Sequence, residues 1–262
     1  MTEKSLETND APSRGRVLVL RPNSGVSGDI LVSGLFKLLG AEDSDMDGAL
    51  ESLGFSELKG KVRVVERSHD SISGWGLEID SPGEGRLHRG LKEITEIFEK
   101  SALADAARET ALRAFRILAA AESRVHGVPE DRVSFHEVGA LDSILDAGLA
   151  SVFFTRLRAA SFVCGPLPVC DGVIRCAHGL LNSPAPAVSI LLEGMAVRGV
   201  DSRGETVTPT GAALLKAFGA RFGPWPEMTV ERQALIFGTR PLPGVPNGAQ
   251  FALGTLSNPG DS

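Results

Sequence analysis

Short β-rich runs alternate with segments of helical period along almost the whole of this chain, and that alternation limits its fold more than any other feature. Residues 16–20 (RVLVL) read as a strand, 22–29 as a Gly-rich loop and 30–39 as a helix. A second short helix is expected over 45–54, followed by strands over 61–66 and 75–80 joined by a polar turn. The Pro- and Gly-containing stretch 82–85 reads as a linker, which sets a sub-domain boundary near 81–87. The longest helix is predicted over 104–126, where Ala111, Ala114, Phe115, Leu118, Ala121 and Val125 share one face before Gly127 and Pro129 stop it. Further helices are expected over 142–158, 184–192 and 209–218, with strands near 161–164, 173–177, 229–236 and 250–253. Strands and helices alternating in this way build an α/β or α+β domain. The expected organisation is one large domain over 16–254, or two sub-domains within it, between a disordered polar tail at 1–15 and a polar tail at 255–262.

Charge and composition then exclude several classes. The net charge of −6 and the lack of any basic block argue against a nucleic acid partner held by phosphate neutralisation. No apolar run approaches the ~18 residues needed to span a bilayer. The first fifteen residues are polar and carry Glu3, Glu7 and Asp10, the opposite of a secretory signal. Three cysteines in a chain of this length make no disulfide framework, so a reducing cytoplasm is expected. An anionic small molecule is compatible with the charge if helix ends or a metal supply local positive potential.

Four segments carry residues suited to chemistry. In Ser24-Gly25-Val26-Ser27-Gly28-Asp29, glycines between a strand and a helix would let backbone N–H groups approach an anion. A tight turn capped by Ser27 or Asp29 explains the same residues without a ligand. In the stretch from Phe135 to Asp146, His136 and Glu137 precede a helix on which Asp142 and Asp146, four apart, share a face. One imidazole and three carboxylates suit a divalent transition metal, although capping and solvation would also account for them. Cys176 and His178, two apart on a strand, offer a thiolate and an imidazole to nickel, copper or zinc, against the alternative of buried inert cysteines at Cys164, Cys170 and Cys176. In Thr206-Val207-Thr208-Pro209-Thr210-Gly211, Thr208 is placed as an N-cap with Pro209 in the first turn. Across a cleft from the Gly-rich loop, this start would complete an anion site.

These segments, together with Arg175-Cys176-Ala177-His178-Gly179, Pro184-Ala185-Pro186-Ala187, His88-Arg89-Gly90-Leu91 and Pro246-Asn247, occur in an order that resembles the N-terminal part of the LarC nickel-insertion family. The resemblance runs from Arg16 to Gly254. It implies insertion of Ni²⁺, as substrate metal, into pyridinium-3,5-bisthiocarboxylic acid mononucleotide to form the nickel-pincer cofactor of lactate racemase, with Mg²⁺ or Mn²⁺ and CTP bound by a C-terminal domain not contained in this sequence. Arg21 and Asn23, Asn182 and Ser183, and Ala234 and Ile236 depart from the residues usual in the family.

On this reading His136, Glu137, Asp142, Asp146, Cys176 and His178 deliver the metal, and Ser24, Gly25, Ser27, Gly28, Asp29, Thr208, Thr210 and Gly211 bind the substrate. Formation of a nickel–carbon bond releases a ring proton, so a base is required; Glu137 is the first choice and His136 its rival. A non-catalytic nickel carrier or scaffold subunit, and a metal-dependent phosphohydrolase, are the competing functions. Partners beyond the mononucleotide are a separately encoded C-terminal half and a second copy in a homo-oligomer.

Overall fold

A computed structural model describes residues 13–80, 89–135, 139–176 and 179–257. Its first half runs β1 (Ser13–Arg21), α1 (Gly28–Leu39), α2 (Asp43–Leu53), β2 (Val62–His69), β3 (Ile72–Ile79), β4 (Arg89–Gly90), α3 (Leu91–Lys100), α4 (Asp105–His126) and β5 (Ser134–Phe135). The second half runs α5 (Leu141–Leu157), β6 (Ala159–Cys164), β7 (Leu167–Val169), β8 (Val173–Cys176), β9 (Gly179–Asn182), α6 (Pro186–Leu191), β10 (Val197–Gly199), α7 (Pro209–Ala217), β11 (Arg221–Phe222), β12 (Met228–Ile236) and β13 (Ala249–Leu256). The strands and helices expected from sequence all form. β1 takes in Ser13 to Gly15, placed in the tail by sequence, because Ser13 pairs with Ala159 of β6. The linker at 82–85 and the boundary at 81–87 lie outside the described residues, and the segments on either side of them belong to one sheet and one core.

Seven strands form a mixed sheet in the order β11-β6-β1-β13-β12-β3-β2. β1 is parallel to β6 and antiparallel to β13, and β13 is antiparallel to β12, so β1 and β12 run the same way. Leu18 and Leu20 of β1 face the main core, formed with α1, α4, α5 and α7. Val17 and Val19 alternate to the other face and form a smaller cluster with Ala252. Amphipathic α4 buries Ala111, Ala114, Phe115 and Leu118, and the Phe115 ring lies 5.8 Å from that of Phe98 and 6.0 Å from that of Phe135. Those ring contacts hold β5 in place just ahead of α5.

Three strands finish at one edge. β1 leads into Ser24, β12 leads into Gly238, and β3 carries Leu77 and Ile79 to the same place. Strand ends opening into loops at one edge of an α/β sheet are the usual location of a ligand crevice.

Candidate metal and anion cleft

The two loops singled out by sequence meet there through their backbones. Val26 N–H donates to Thr206 O at 2.9 Å and Thr208 N–H donates to Val26 O at 3.1 Å, a parallel bridge between Val26 and Val207. Gly25 makes this approach at φ +138°, and a Cβ there would overlap the Thr206 carbonyl. A Cβ on Gly211 would stand 2.7 Å from Val26 O and 2.9 Å from Ser27 Cα. Any side chain at either position would force the loops apart.

The bridge draws three helix starts together. The α7 start is capped as the sequence predicts: Gly211 N–H donates to Thr208 Oγ1 at 3.1 Å. Thr210 Oγ1 then lies 3.4 Å from Ser143 Oγ in the first turn of α5. α1 differs from expectation. Ser27 stands at the N-cap, but its hydroxyl donates to the Asp29 carboxylate and leaves the helix N–H groups without a side-chain cap. α1 also lies so close to α5 that a Cβ on Gly28 would overlap the Asp146 carboxylate.

The resulting cleft has a volume of about 780 Å³, within the range of small-molecule sites. Ser24, Gly25, Ser27, Gly28, Asp29, Asp142, Asp146, Thr208 and Thr210 all line it, so most of the residues selected from sequence converge. Gly211 does not. Its N–H is taken by Thr208 and its Cα is buried against the other loop, so it permits the contact instead of gripping a ligand. His136, Glu137 and His178 lie outside the described residues. Cys176 closes β8 opposite Gly179, in a two-stranded hairpin with exposed Val173 and Leu180. The root of that hairpin is tied to the cleft wall by Ser183 Oγ and Cys170 Sγ, both of which donate to Gly204 O.

Asp146 dominates the electrostatics. Its Oδ1 is sealed from solvent with no hydrogen-bond partner. Burial pushes its carboxyl well above the usual carboxylate range, and the charges of Asp29 and Asp142 push in the same direction. Three helix starts nearby would favour the charged form, yet burial and like charges win, because a helix end contributes only ~0.3–1 kcal/mol. Among the described residues, no three His, Cys, Asp or Glu side chains are spaced to hold a metal ion by themselves.

Sequence reasoning missed another part of the lining. Arg203 and Arg240 both line the cleft, with Thr239 and the turn from Gly238 to Pro243. The only visible signal was their position, Arg203 just before the Thr206 motif and Arg240 in a Gly-Thr-Arg triplet between two strands. The departures from the family pattern lie largely elsewhere. Arg21 donates to Gly223 O at 2.7 Å and stacks 5.1 Å from the Trp225 ring centroid, while Ala234 and Ile236 are buried in the core. Cys164 is also buried, and burial pushes its thiol up to about 12, so it is inert at neutral pH.

An α/β protein whose cleft is lined by both carboxylates and arginines is suited to handling a cation and an anionic small molecule together. More particularly, the chain belongs to the nickel insertion protein family, which it matches over residues 18–261. It is 39% identical over 235 residues to a putative nickel insertion protein of Syntrophobacter fumaroxidans, covering 89% of this chain and 59% of that one. It is 32% identical over 246 residues to the pyridinium-3,5-bisthiocarboxylic acid mononucleotide nickel insertion protein of Geobacillus kaustophilus, covering 91% and 60%, and 35% identical over 235 residues to the protein of that name in Desulfitobacterium hafniense, covering 90% and 57%. The chain thus spans about three fifths of the length of these relatives. No solved structure matches it. No helix among the described residues is long and apolar enough to cross a membrane.

Proposed function

We propose that this chain inserts Ni²⁺ into pyridinium-3,5-bisthiocarboxylic acid mononucleotide, with the cleft as the place where metal and substrate meet. The observation that carries this reading is the convergence of Asp29, Asp142 and Asp146 at the mouth of three helices, in a chain whose relatives are named for that reaction. The finished cofactor takes its carbon and sulfur ligands from the substrate itself. A protein that hands over a metal therefore benefits from hard carboxylate ligands that a softer thiolate can displace. Aspartates that do not make a complete metal site by themselves, and leave the remaining ligands to the substrate, fit that task better than a closed four-ligand site, which would retain the ion.

Glu137, or His136, takes the ring proton released when nickel bonds to carbon, and Cys176 and His178 complete metal delivery. CTP, with Mg²⁺ or Mn²⁺, acts through a C-terminal half carried on the remaining two fifths of the relatives' length. Unbridged Cys164 and Cys170 fit a reducing cytoplasm.

Single-turnover metallation of the mononucleotide, followed by absorbance with and without a C-terminal half added in trans, tests the reading. Product formation with the complete system supports it. Nickel binding without product would make the chain a carrier or scaffold, and turnover of a simple phosphate ester without nickel would make it a phosphohydrolase.

A further inference from the structure

If the cleft takes a mononucleotide, the ligand must lie in it one way round, and the charges on its walls decide which. Two of the three helix starts already carry their own acids, Asp29 in the first turn of α1 and Asp142 in the first turn of α5. Both acids are close enough to Asp146 to act on its carboxyl. A phosphate dianion laid on the Gly-rich loop would meet Asp29 and Asp142, and its repulsion exceeds that of the other end of the substrate, where the pyridinium cation offsets one thiocarboxylate and the metal bridges the acids to the sulfurs. The Gly-rich end is therefore the wrong end for the phosphate, although sequence alone assigns it there.

The lining beyond Thr206 and Gly238 carries two cations, Arg203 and Arg240, with one acid, Glu205, which has an interaction partner of its own. Both arginines are exposed, and neither forms an ion pair among the described residues. They sit on two loops far apart in the chain but fastened together. Ser202 Oγ donates to Pro243 O at 2.7 Å, Gly204 backs onto Leu242, and the turn at Gly244 (φ +79°) presses against the Asp201 carbonyl. The fastening makes one rim that carries two guanidiniums. Planar guanidiniums offer paired N–H donors that match the oxygens of a phosphomonoester.

We propose that Arg203 and Arg240 grip the phosphate of the mononucleotide, leaving its pyridinium ring and thiocarboxylates toward Asp146 and the metal. This rests on the mononucleotide reading above. It adds the orientation of the ligand and names two specificity-determining residues. Contact of the same arginines with the ring thiocarboxylates is the competing arrangement, and the choice of probes separates the two cases.

The test is calorimetric binding of nicotinic acid mononucleotide and of its dephosphorylated riboside to the metal-free chain, at fixed salt. Wild type is expected to prefer the mononucleotide. Arg203→Ala and Arg240→Ala should each weaken mononucleotide binding about tenfold, and the double variant about a hundredfold, with riboside binding unmoved. Arg240→Lys should recover part of the loss, since it restores charge without the paired donors. Both side chains are exposed, so unchanged thermal midpoints will show that the variants fold. An unaltered preference for the mononucleotide in the double variant would overturn the proposal while leaving the mononucleotide reading standing. So would an equal loss for both probes, which would move the arginines to the carboxylate end. Wild type that binds neither probe would overturn the mononucleotide reading and the proposal together.

Discussion

Replacing Asp146 with asparagine keeps the shape of the side chain and removes its charge, so it isolates what the buried carboxylate costs the folded protein. In the native state burial, Asp29 and Asp142 raise the carboxyl above its ordinary range, so the folded chain holds a proton that the unfolded chain has released. The contribution of Asp146 to stability is therefore most favourable below the unfolded value near ~3.9. It declines as pH rises from there through the raised folded value, and above that the full penalty applies. Asparagine does not titrate, so the two proteins should converge at low pH and separate as pH rises. The asparagine amide is also buried with unmet hydrogen bonds, so only the cost specific to the charge is recovered. An orphaned buried polar group costs about 1–3 kcal/mol and a charged one more, which leaves a gain of roughly 1–2 kcal/mol at pH 8. At about 2–4 °C per kcal/mol for a domain near this size, the midpoint should rise by about 2–8 °C. Scanning calorimetry from pH 5 to 8.5, with chelator present, measures the gap. Added Ni²⁺ at pH 8 should then raise the wild-type midpoint and leave the variant unmoved. A gap independent of pH, or one that narrows as pH rises, would refute the account of Asp146 as a buried, unpaired acid.

Other consequences can be measured directly. Thr208→Ala removes the α7 cap and should cost about 1 kcal/mol in urea unfolding. Gly28→Ala adds a methyl that overlaps Asp146, so it should destabilise by about 1–3 kcal/mol despite the better helix propensity of alanine, and should weaken metallation as well. Glu137→Gln should abolish metallation in the single-turnover assay while sparing mononucleotide binding; unchanged activity would remove Glu137 as the base. Cys164, buried and with its thiol raised to about 12, should resist iodoacetamide at pH 8 in the native protein and react after denaturation, as read by peptide mass spectrometry.

Much of the fold was legible because periodicity reports burial. The face of α4 and the RVLVL run of β1 are one-dimensional patterns with one physical meaning. Short pairings such as β7 with β10, where Pro168 lies within a three-residue strand, carry no such pattern and emerge only from packing. At the site, glycines and an N-cap threonine announced the two loops because their backbone demands are local. Asp146 was visible as a helix-face acid, but its burial depends on how closely α1 crosses α5 at Gly28, a tertiary fact. Arg203 and Arg240 were signalled by position alone, for a related reason. Nothing in either neighbourhood marks an arginine as cleft-facing until Ser202 and Pro243 join their loops.

The floor of the cleft is made of amides. The exchange between Val26 and the Thr206 and Thr208 peptides is indifferent to the side chains mounted on it, so substitutions around the rim can retune what the protein accepts while the platform beneath stays the same. Gly25 and Gly211 have no such latitude. A lineage drifting toward a new ligand would rewrite its arginines long before it touched either glycine.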